Sequence, residues 1–188
     1  LNLSLSKSID ELILLQPKYV IHCAAVIPNN LMDSSDEIHV VNRTIDLGIL
    51  QLSEKCNTRL IYISSSSVYG IPLKKAVSEE SKTSSSLSTY SRGKLEFERL
   101  LLTSNVNSLI LRINAPYGYR QTNNTVLKIF IEKVLKGENI YLHGTGSRMQ
   151  DFTHAEDIAF LIVENMFKST FGLYNLSFGN PISMKSLA

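Results

Sequence analysis

Residues 64–94, SSSSVYGIPLKKAVSEESKTSSSLSTYSRGK, connect an apolar strand to a helix and decide the fold of this chain. The preceding run Arg59–Ile63 is typical of a buried parallel strand, and a helical pattern begins at Tyr90. Tyr90 and Lys94 are four residues apart, so a helix places both on one face. An ammonium group beside a phenol lowers the phenol pKa from about 10, as general acid/base chemistry near neutral pH requires. Tyr90 is therefore the candidate proton-transfer residue; the alternative is a partly exposed tyrosine and a solvated lysine on an amphipathic helix.

Strand patterns alternate with helical patterns along the rest of the sequence, which predicts an α/β fold with a parallel sheet. Besides Arg59–Ile63, the expected strands are Tyr19–Cys23, Ser108–Ile113, Asn139–Leu142 and Leu173–Leu176. The expected helices cover about residues 8–15, 34–55, 90–105, 125–136 and 154–168. Because ligands bind at the carboxyl ends of parallel strands, the serines that follow Ile63 lie where chemistry is expected.

The composition narrows the range of partners. The chain has 188 residues, a net charge of +2 and a hydrophobic share of 44%, which is enough for one domain with a core. No basic cluster or long apolar run is present, so we expect neither a nucleic-acid nor a membrane partner. Cys23 and Cys56 do not form a disulfide framework, and a reducing, cytoplasmic location is the better interpretation. We predict no metal ligands.

Five segments, in this order, resemble the extended short-chain dehydrogenase/reductase family, specifically its NAD-dependent nucleotide-sugar epimerases and dehydratases. They are His22–Ala25, Ser64–Gly70, Tyr90–Lys94, Arg112–Gly118 and Gly144–Asp157. The family's glycine-rich turn, G-x-x-G-x-x-G, is absent from the sequence. The resemblance therefore implies a partial Rossmann-like parallel sheet that lacks the N-terminal glycine-rich βαβ unit, together with part of a small substrate-binding region. We expect residues 1–120 to be the dinucleotide-binding domain without its N-terminal part. Residues 121–188 are expected to be a partial substrate-binding region with interleaved Rossmann elements, and the chain to be a fragment.

The resemblance implies catalytic roles for Ser65, Tyr90 and Lys94. Ser65 lies three residues before the valine of Val-Tyr-Gly and would hydrogen-bond the sugar oxygen, although a serine-rich turn is the alternative. Tyr90 would remove a proton from a sugar hydroxyl while hydride passes to the cofactor, and Lys94 would hold the nicotinamide ribose. Family dehydratases carry an Asp-Glu pair after this serine. Here Ser66-Ser67 follow, which disfavours a dehydratase.

The resemblance also implies binding residues. The cofactor-binding candidates are Ala24, Ala25, Asn42, Ser64, Tyr90, Lys94 and Pro116; the substrate-binding candidates are Ser65, Ser66, Asn114 and Arg148. Two positions depart from the family pattern: Ala115 replaces the phosphate-binding asparagine and Gln150 replaces the diphosphate-binding arginine. Arg148, two residues earlier, would share a face with Gln150 in an extended segment. A local helix hydrogen bond for Asn42, a loop proline at Pro116 and a solvent-exposed Arg148 are the alternatives.

We therefore predict an NAD-dependent nucleotide-sugar epimerase, with NADP as the alternative cofactor. The other interpretations are a nucleotide-sugar reductase or dehydrogenase of the same family, and a non-catalytic truncated relative. The missing glycine-rich turn favours the last, whereas the intact Ser65, Tyr90 and Lys94 oppose it.

A homodimer is expected, because the family often dimerises through the helices that contain Asn42 and Tyr90. Ile38, Ile45 and Leu95 could form that face, although core packing would use the same residues. His22, in an apolar strand, is expected to be a satisfied core histidine.

Overall fold

The structure is a computed structural model that describes residues 1–28, 36–70, 76–142 and 144–188. The helices are α1 (Ser6–Leu14), α2 (Asp36–Cys56), α3 (Thr89–Thr103), α4 (Val126–Leu135), α5 (Ala155–Met166) and α6 (Met184–Leu187). The strands are β1 (Tyr19–His22), β2 (Arg59–Ser65), β3 (Ser108–Ile113), β4 (Pro116–Tyr117), β5 (Met149–Gln150), β6 (Thr153–His154), β7 (Gly172–Leu176) and β8 (Ile182–Ser183). A short 3-10 helix, Ser66–Tyr69, follows β2 directly.

Four parallel strands form the main sheet, in the order β1-β2-β3-β7. The central strand β2 is covered on both faces: Leu60, Ile61 and Tyr62 are at most 1% exposed. Strands covered on both faces have continuous apolar runs, which explains why this strand could be predicted from its sequence. The α/β fold with a parallel sheet is confirmed, and β7, from the second half of the chain, completes the sheet.

Helices cover both faces of the sheet. On one face, α1, α2 and α3 pack on β2 and β3 through a cluster that includes Ile9, Leu52, Leu60 and Phe97. On the other face, α5 packs on the alternate residues of the same strands, among them Ile61. Because side chains alternate along a strand, successive residues of β2 serve opposite core clusters. No helix within the described ranges is long and apolar enough to cross a membrane.

The register places the ends of three strands together. Ser65 at the end of β2 lies opposite Ile113 of β3, which in turn lies opposite Leu176 of β7. The 3-10 helix and Asn114 therefore leave the sheet side by side at its carboxyl edge. Two small sheets, β4 with β6 and β5 with β8, complete the strand pairing of the described residues.

Some local predictions are wrong or untested. Residues 139–142 form no strand: Tyr141 is 74% exposed, and none of the strands in the described ranges pairs with this segment. Ile45 and Leu95 are buried, so core packing uses them and they form no outward dimer face. The expected start of the second helix at position 34 lies outside the described residues.

Candidate active site

Helix α3 is held on β2 through its lysine. Lys94 is 6% exposed, and its Nζ donates a hydrogen bond to the Ile63 carbonyl oxygen at 2.9 Å. The same Nζ lies 4.6 Å from the Tyr62 ring centroid and 5.7 Å from the Tyr90 ring centroid. Ser88 caps the helix by accepting from the Ser91 backbone N–H at 3.3 Å. The predicted proximity of Tyr90 and Lys94 is confirmed, with Tyr90 in the first turn of the helix.

The serine turn, residues 65–70, is hydrogen-bonded to the start of α3. Ser65 caps the 3-10 helix, its Oγ accepting from the Ser67 N–H at 3.2 Å. The Ser91 hydroxyl donates to the Ser67 hydroxyl at 2.8 Å, and the Ser91 and Ser88 hydroxyls are 3.0 Å apart. This chain of hydroxyls fixes the turn that contains Ser65 next to the helical turn that contains Tyr90.

The four proposed substrate-binding residues fall in two places. Ser65 and Ser66 leave β2 together, and the Ser66 hydroxyl donates to the Asn114 side-chain oxygen at 3.1 Å. Arg148 is exposed at the edge of the separate β5/β8 sheet and donates to the Gln150 side chain at 2.9 Å. The structure therefore brings Asn114 to the serines, and it places Arg148 beside the glutamine with which it was expected to share a face.

A cleft opens between α2 and α3 beside the lysine. It is lined by Ala25, His39, Asn42, Asp46, Thr89, Tyr90, Gly93 and Lys94. Four of the predicted cofactor-binding residues, Ala25, Asn42, Tyr90 and Lys94, thus share one cleft, and Ala24 precedes Ala25 in the same loop. Pro116 is exposed in β4, which pairs with β6 in a separate two-stranded sheet and begins two residues after Asn114.

Asn42 and Ser64 do not present free side chains to a cofactor. The Asn42 amide makes two bonds with the Val26 backbone: it accepts from N–H at 2.7 Å and donates to C=O at 2.9 Å. Ser64 is 2% exposed, and its hydroxyl donates to the buried Glu98 carboxylate. Both side chains are thus bonded inside the protein, and the cofactor-binding role of Asn42 and Ser64 stays a prediction. Asn42 holds the loop that contains Ala24 and Ala25.

The charges around Tyr90 oppose the predicted effect of Lys94. Burial, and then the negative charge of Asp46, raise the pKa of Tyr90 to about 12. Burial also lowers the pKa of Lys94, against the opposing charges of Asp46, Cys23 and Glu98. The expected fall in the Tyr90 pKa therefore does not occur in this chain by itself. The Lys94 ammonium group is directed to the Ile63 carbonyl, whereas the phenol lies in a desolvated site near a carboxylate.

Sequence reasoning missed the role of Asp46. This carboxylate lines the cleft, is 7% exposed and lies 2.8 Å from the His22 Nε2. The expectation that His22 is a satisfied core histidine is confirmed by this contact. Asp46 follows Asn42 by four residues, so their common helix face was a signal available in the sequence.

The donor set of the cleft fits a nicotinamide riboside. Within the described residues Lys94 uses one of its three ammonium protons, on Ile63, which leaves donors for ribose hydroxyls. Ala24 and Ala25 have small side chains in a loop that Asn42 anchors, so a ligand can approach their backbone closely. The Tyr90 phenol lies in the same cleft, which places an acid/base group beside that position.

Comparisons with known proteins agree with this geometry. The model of the NAD dependent epimerase/dehydratase family matches residues 1–176. A putative UDP-glucose 4-epimerase from Methanocaldococcus jannaschii is 30% identical over 164 residues, which cover 81% of this chain and 53% of that protein. The chain therefore spans about half the length of this curated relative.

Solved structures show the same fold. A UDP-glucose 4-epimerase from Thermotoga maritima, with UDP-glucose, matches with a TM-score of 0.87 and 23% identity, over 100% of this chain and 64% of that chain. The Bordetella bronchiseptica enzyme WbmG in complex with NAD matches with a TM-score of 0.85 and 20% identity, over 98% of this chain and 58% of that chain.

Replacing Asn42 by alanine should release the loop that carries Ala24 and Ala25. Both bonds to Val26 are lost, so we expect the free energy of unfolding to fall by about 1–3 kcal/mol and the Val26 amide to exchange faster. Urea denaturation and amide hydrogen exchange measure the two effects. Asn165→Ala is the matched control, since its amide donates to the Leu161 carbonyl oxygen in a solvent-exposed bond of α5. Unchanged exchange at Val26 in Asn42→Ala would show that the amide does not hold the loop.

Proposed function

This chain belongs to the NAD dependent epimerase/dehydratase family, and from that premise we propose that its protein is a nucleotide-sugar epimerase that uses NAD. The observation that carries the proposal is the arrangement of Tyr90 and Lys94 in one cleft, with the Ser65 turn bonded to the same helix through Ser67 and Ser91. The serine, tyrosine and lysine of the sequence motif are thereby held by one element, α3.

Tyr90 is the proposed acid/base. The phenolate form removes a proton from a sugar hydroxyl, commonly the 4-hydroxyl, and the phenol returns it after the sugar has turned over. With a pKa near 12 the phenol is protonated at neutral pH in this chain by itself. Positive charge beyond that of Lys94 is therefore needed at the cleft to favour the phenolate, and a bound cationic nicotinamide would supply it.

Ser65 is the proposed orienting group for the sugar oxygen. Its Oγ accepts from the Ser67 N–H, and in the part of the chain that is described its own O–H donates to no protein acceptor. That proton is free to bond the sugar oxygen that Tyr90 deprotonates. Asn114 and Ser66, bonded to one another at the same edge, are proposed to contact the rest of the substrate.

Lys94, Ala24 and Ala25 are the residues that would hold the nicotinamide end of NAD. When bound, NAD supplies a hydride acceptor and donor. Lys94 donates to the ribose hydroxyls while its bond to Ile63 keeps the ammonium group in place. The relatives support both ligands, since the Bordetella enzyme holds NAD and the Thermotoga enzyme holds UDP-glucose.

Within the family, the two residues after Ser65 argue against a dehydratase. Because both positions are serines, neither supplies the carboxylates that elimination of water needs. Their hydroxyls are instead hydrogen-bonded to Asn114 and Ser91. A reductase would use the same Ser65, Tyr90 and Lys94, but it would consume one reduced cofactor per turnover.

Tyr90→Phe should abolish epimerisation, with a loss in kcat of about 100-fold or more, the usual contribution of a general acid/base. The full gene product is incubated with UDP-, dTDP-, GDP- and CDP-hexoses and catalytic NAD, while product mass and anomeric proton signals are followed. The wild-type protein should give a new anomeric signal at unchanged mass. Tyr174→Phe, which removes the hydroxyl of a half-exposed tyrosine, should keep the activity.

Other products would contradict the proposal. A gain of two hydrogens with stoichiometric reduced cofactor identifies a reductase, and a loss of water identifies a dehydratase. If the wild-type protein binds NAD but turns over no nucleotide sugar, the interpretation as a non-catalytic relative is the one that holds.

We also propose a homodimer that forms through α2 and α3. The exposed apolar side chains of these helices include Val40, Val41, Leu47 and Leu100, exposed by 59%, 36%, 40% and 37%. They replace the buried Ile45 and Leu95 as the candidate dimer face. Leu47 and Leu100 line one groove between the two helices, so a second copy would cover both at once.

Leu47→Glu combined with Leu100→Glu should convert the dimer to a monomer, because each places a carboxylate in an apolar contact. Sedimentation equilibrium at micromolar concentration measures the mass. Leu102→Glu, at an exposed leucine two residues further along α3, should leave the dimer intact. A wild-type protein that is monomeric under these conditions would rule out the dimer.

A further inference from the structure

A buried ion pair joins the catalytic helix to the neighbouring strand. Glu98 of α3 is 1% exposed and Arg112 of β3 is 5% exposed. The guanidinium group donates to both carboxylate oxygens, from Nε to Oε1 at 2.9 Å and from Nη2 to Oε2 at 2.6 Å. Burial disfavours the charged form of Arg112, but the bond to Glu98 and the charge of Glu98 outweigh it, so the pKa of Arg112 is raised. The two-bond geometry fixes the orientation of the two groups as well as their separation.

The ion pair holds the first end of the serine turn. Besides Arg112, the Glu98 carboxylate accepts from the hydroxyl of Ser64, the residue immediately before Ser65. Lys94, one helical turn earlier, donates to the carbonyl of Ile63, the residue before Ser64. Two successive turns of α3 therefore bond two successive residues of β2, and this allows a single register of the helix on the strand.

The same ion pair holds the second end of the turn. The remaining guanidinium nitrogen of Arg112, Nη1, donates to the hydroxyl of Tyr69 at 2.7 Å, and the guanidinium carbon lies 4.7 Å from the Tyr69 ring centroid. Tyr69 ends the 3-10 helix, and its hydroxyl donates in turn to the Asn175 side-chain oxygen of β7 at 2.8 Å. The segment between Ser64 and Tyr69 is thus fastened at both ends to one charged pair.

Glu98 also shares a helix face with the acid/base pair. It follows Lys94 by four residues and Tyr90 by eight, so all three side chains lie along one side of α3. The bonds of the Glu98–Arg112 pair that hold the turn with Ser65 therefore also hold the helix that contains Tyr90. Proton transfer between a sugar hydroxyl, Ser65 and Tyr90 depends on their relative placement to within a fraction of an ångström.

We propose that Ser64, Tyr69, Glu98 and Arg112 form a positioning clamp that sets the Ser65 hydroxyl against the Tyr90 phenol. Tyr69, Glu98 and Arg112 are assigned to no contact with substrate or cofactor, and all four side chains act through the turn that they hold. The catalytic part of this inference rests on the proposed function. The structural part, that the clamp orders residues 65–70, does not.

The test uses two substitutions that keep the ion pair. Ser64→Ala removes the hydroxyl that Glu98 holds, and Tyr69→Phe removes the hydroxyl that Arg112 holds while keeping the ring. Removal of Glu98 or Arg112 itself would leave a buried charge without a partner, and such a variant can fail to fold. Ser53→Ala and Tyr174→Phe are the matched controls. Ser53 is 1% exposed, with a hydroxyl that has no partner among the described residues, and Tyr174 is 44% exposed.

The first measurement is amide hydrogen exchange of the full gene product, which needs no activity. In Ser64→Ala and Tyr69→Phe, we expect the amides of Ser67 and Gly70 to exchange about tenfold faster, the effect of losing one hydrogen bond to a charged group. The exchange rates of the β3 amides should not change in these variants, and the turn amides should exchange at the wild-type rate in the two control variants. Equal acceleration across the whole sheet, or none in the turn, would overturn the clamp and leave the ion pair a role in stability only.

The second measurement separates kcat from KM with the nucleotide sugar that the wild-type protein converts. Both clamp variants should lose about tenfold in kcat and keep KM and NAD affinity within about twofold. Unchanged kcat in variants whose turn exchanges faster would overturn the catalytic part. A wild-type protein without turnover would refute the proposed function, and the exchange result would still decide whether the clamp orders the turn.

Discussion

The arrangement of the candidate active site depends on the hydrogen bonds that hold α3 against the end of β2. The lysine ammonium group bonds the Ile63 carbonyl at 2.9 Å inside a region where Lys94 is 6% exposed. A charged group is expensive to bury without partners, so this bond and the neighbouring bond from Ser64 to Glu98 hold the helix in this placement. The position of Tyr90 and the attachment of the serine turn through Ser91 follow from that placement.

The same burial that orders the site keeps its acid/base group protonated. Tyr90 lies in a cleft with Asp46, and desolvation together with that negative charge raises its pKa to about 12. Two polar groups on the other side of the cleft are engaged within the protein: Asn42 with Val26, and Asp46 with His22. Proton transfer near neutral pH then requires positive charge that arrives with a ligand. The chemistry of the site is thereby coupled to occupation of the cleft.

Local patterns predicted much of the fold. The apolar run of β2 and the helical spacing of Tyr90 and Lys94 are short-range features, and β3 has its predicted bounds. The two-residue strands β4, β5, β6 and β8 were not predicted, because two residues contain no periodicity and their pairing is set by tertiary contacts.

The partners of buried polar side chains could not be predicted. Glu98 and Arg112 are 14 residues apart, Tyr69 bonds Arg112 across 43 residues, and the bond from Asn42 to Val26 spans 16. Sequence spacing gives no distance for such pairs. For this reason Ser64 and Asn42 were expected at the cofactor, although their side chains are bonded inside the protein. The available signals were two charges at helical spacing: Glu98 on the face that carries Lys94, and Asp46 on the face that carries Asn42.

The most direct test of the central claim is a titration of the Tyr90 phenol in the full gene product, with and without oxidised NAD. Carbon-13 labelling of the tyrosine ring gives the pKa by NMR, and Tyr90→Phe assigns the signal. Without NAD the account predicts a pKa of about 12. With NAD the added positive charge should lower this pKa, by about 1 to 3 pH units. A Tyr90 pKa that stays near 12 when NAD is bound would contradict the assignment of Tyr90 as the group that takes the proton from the sugar.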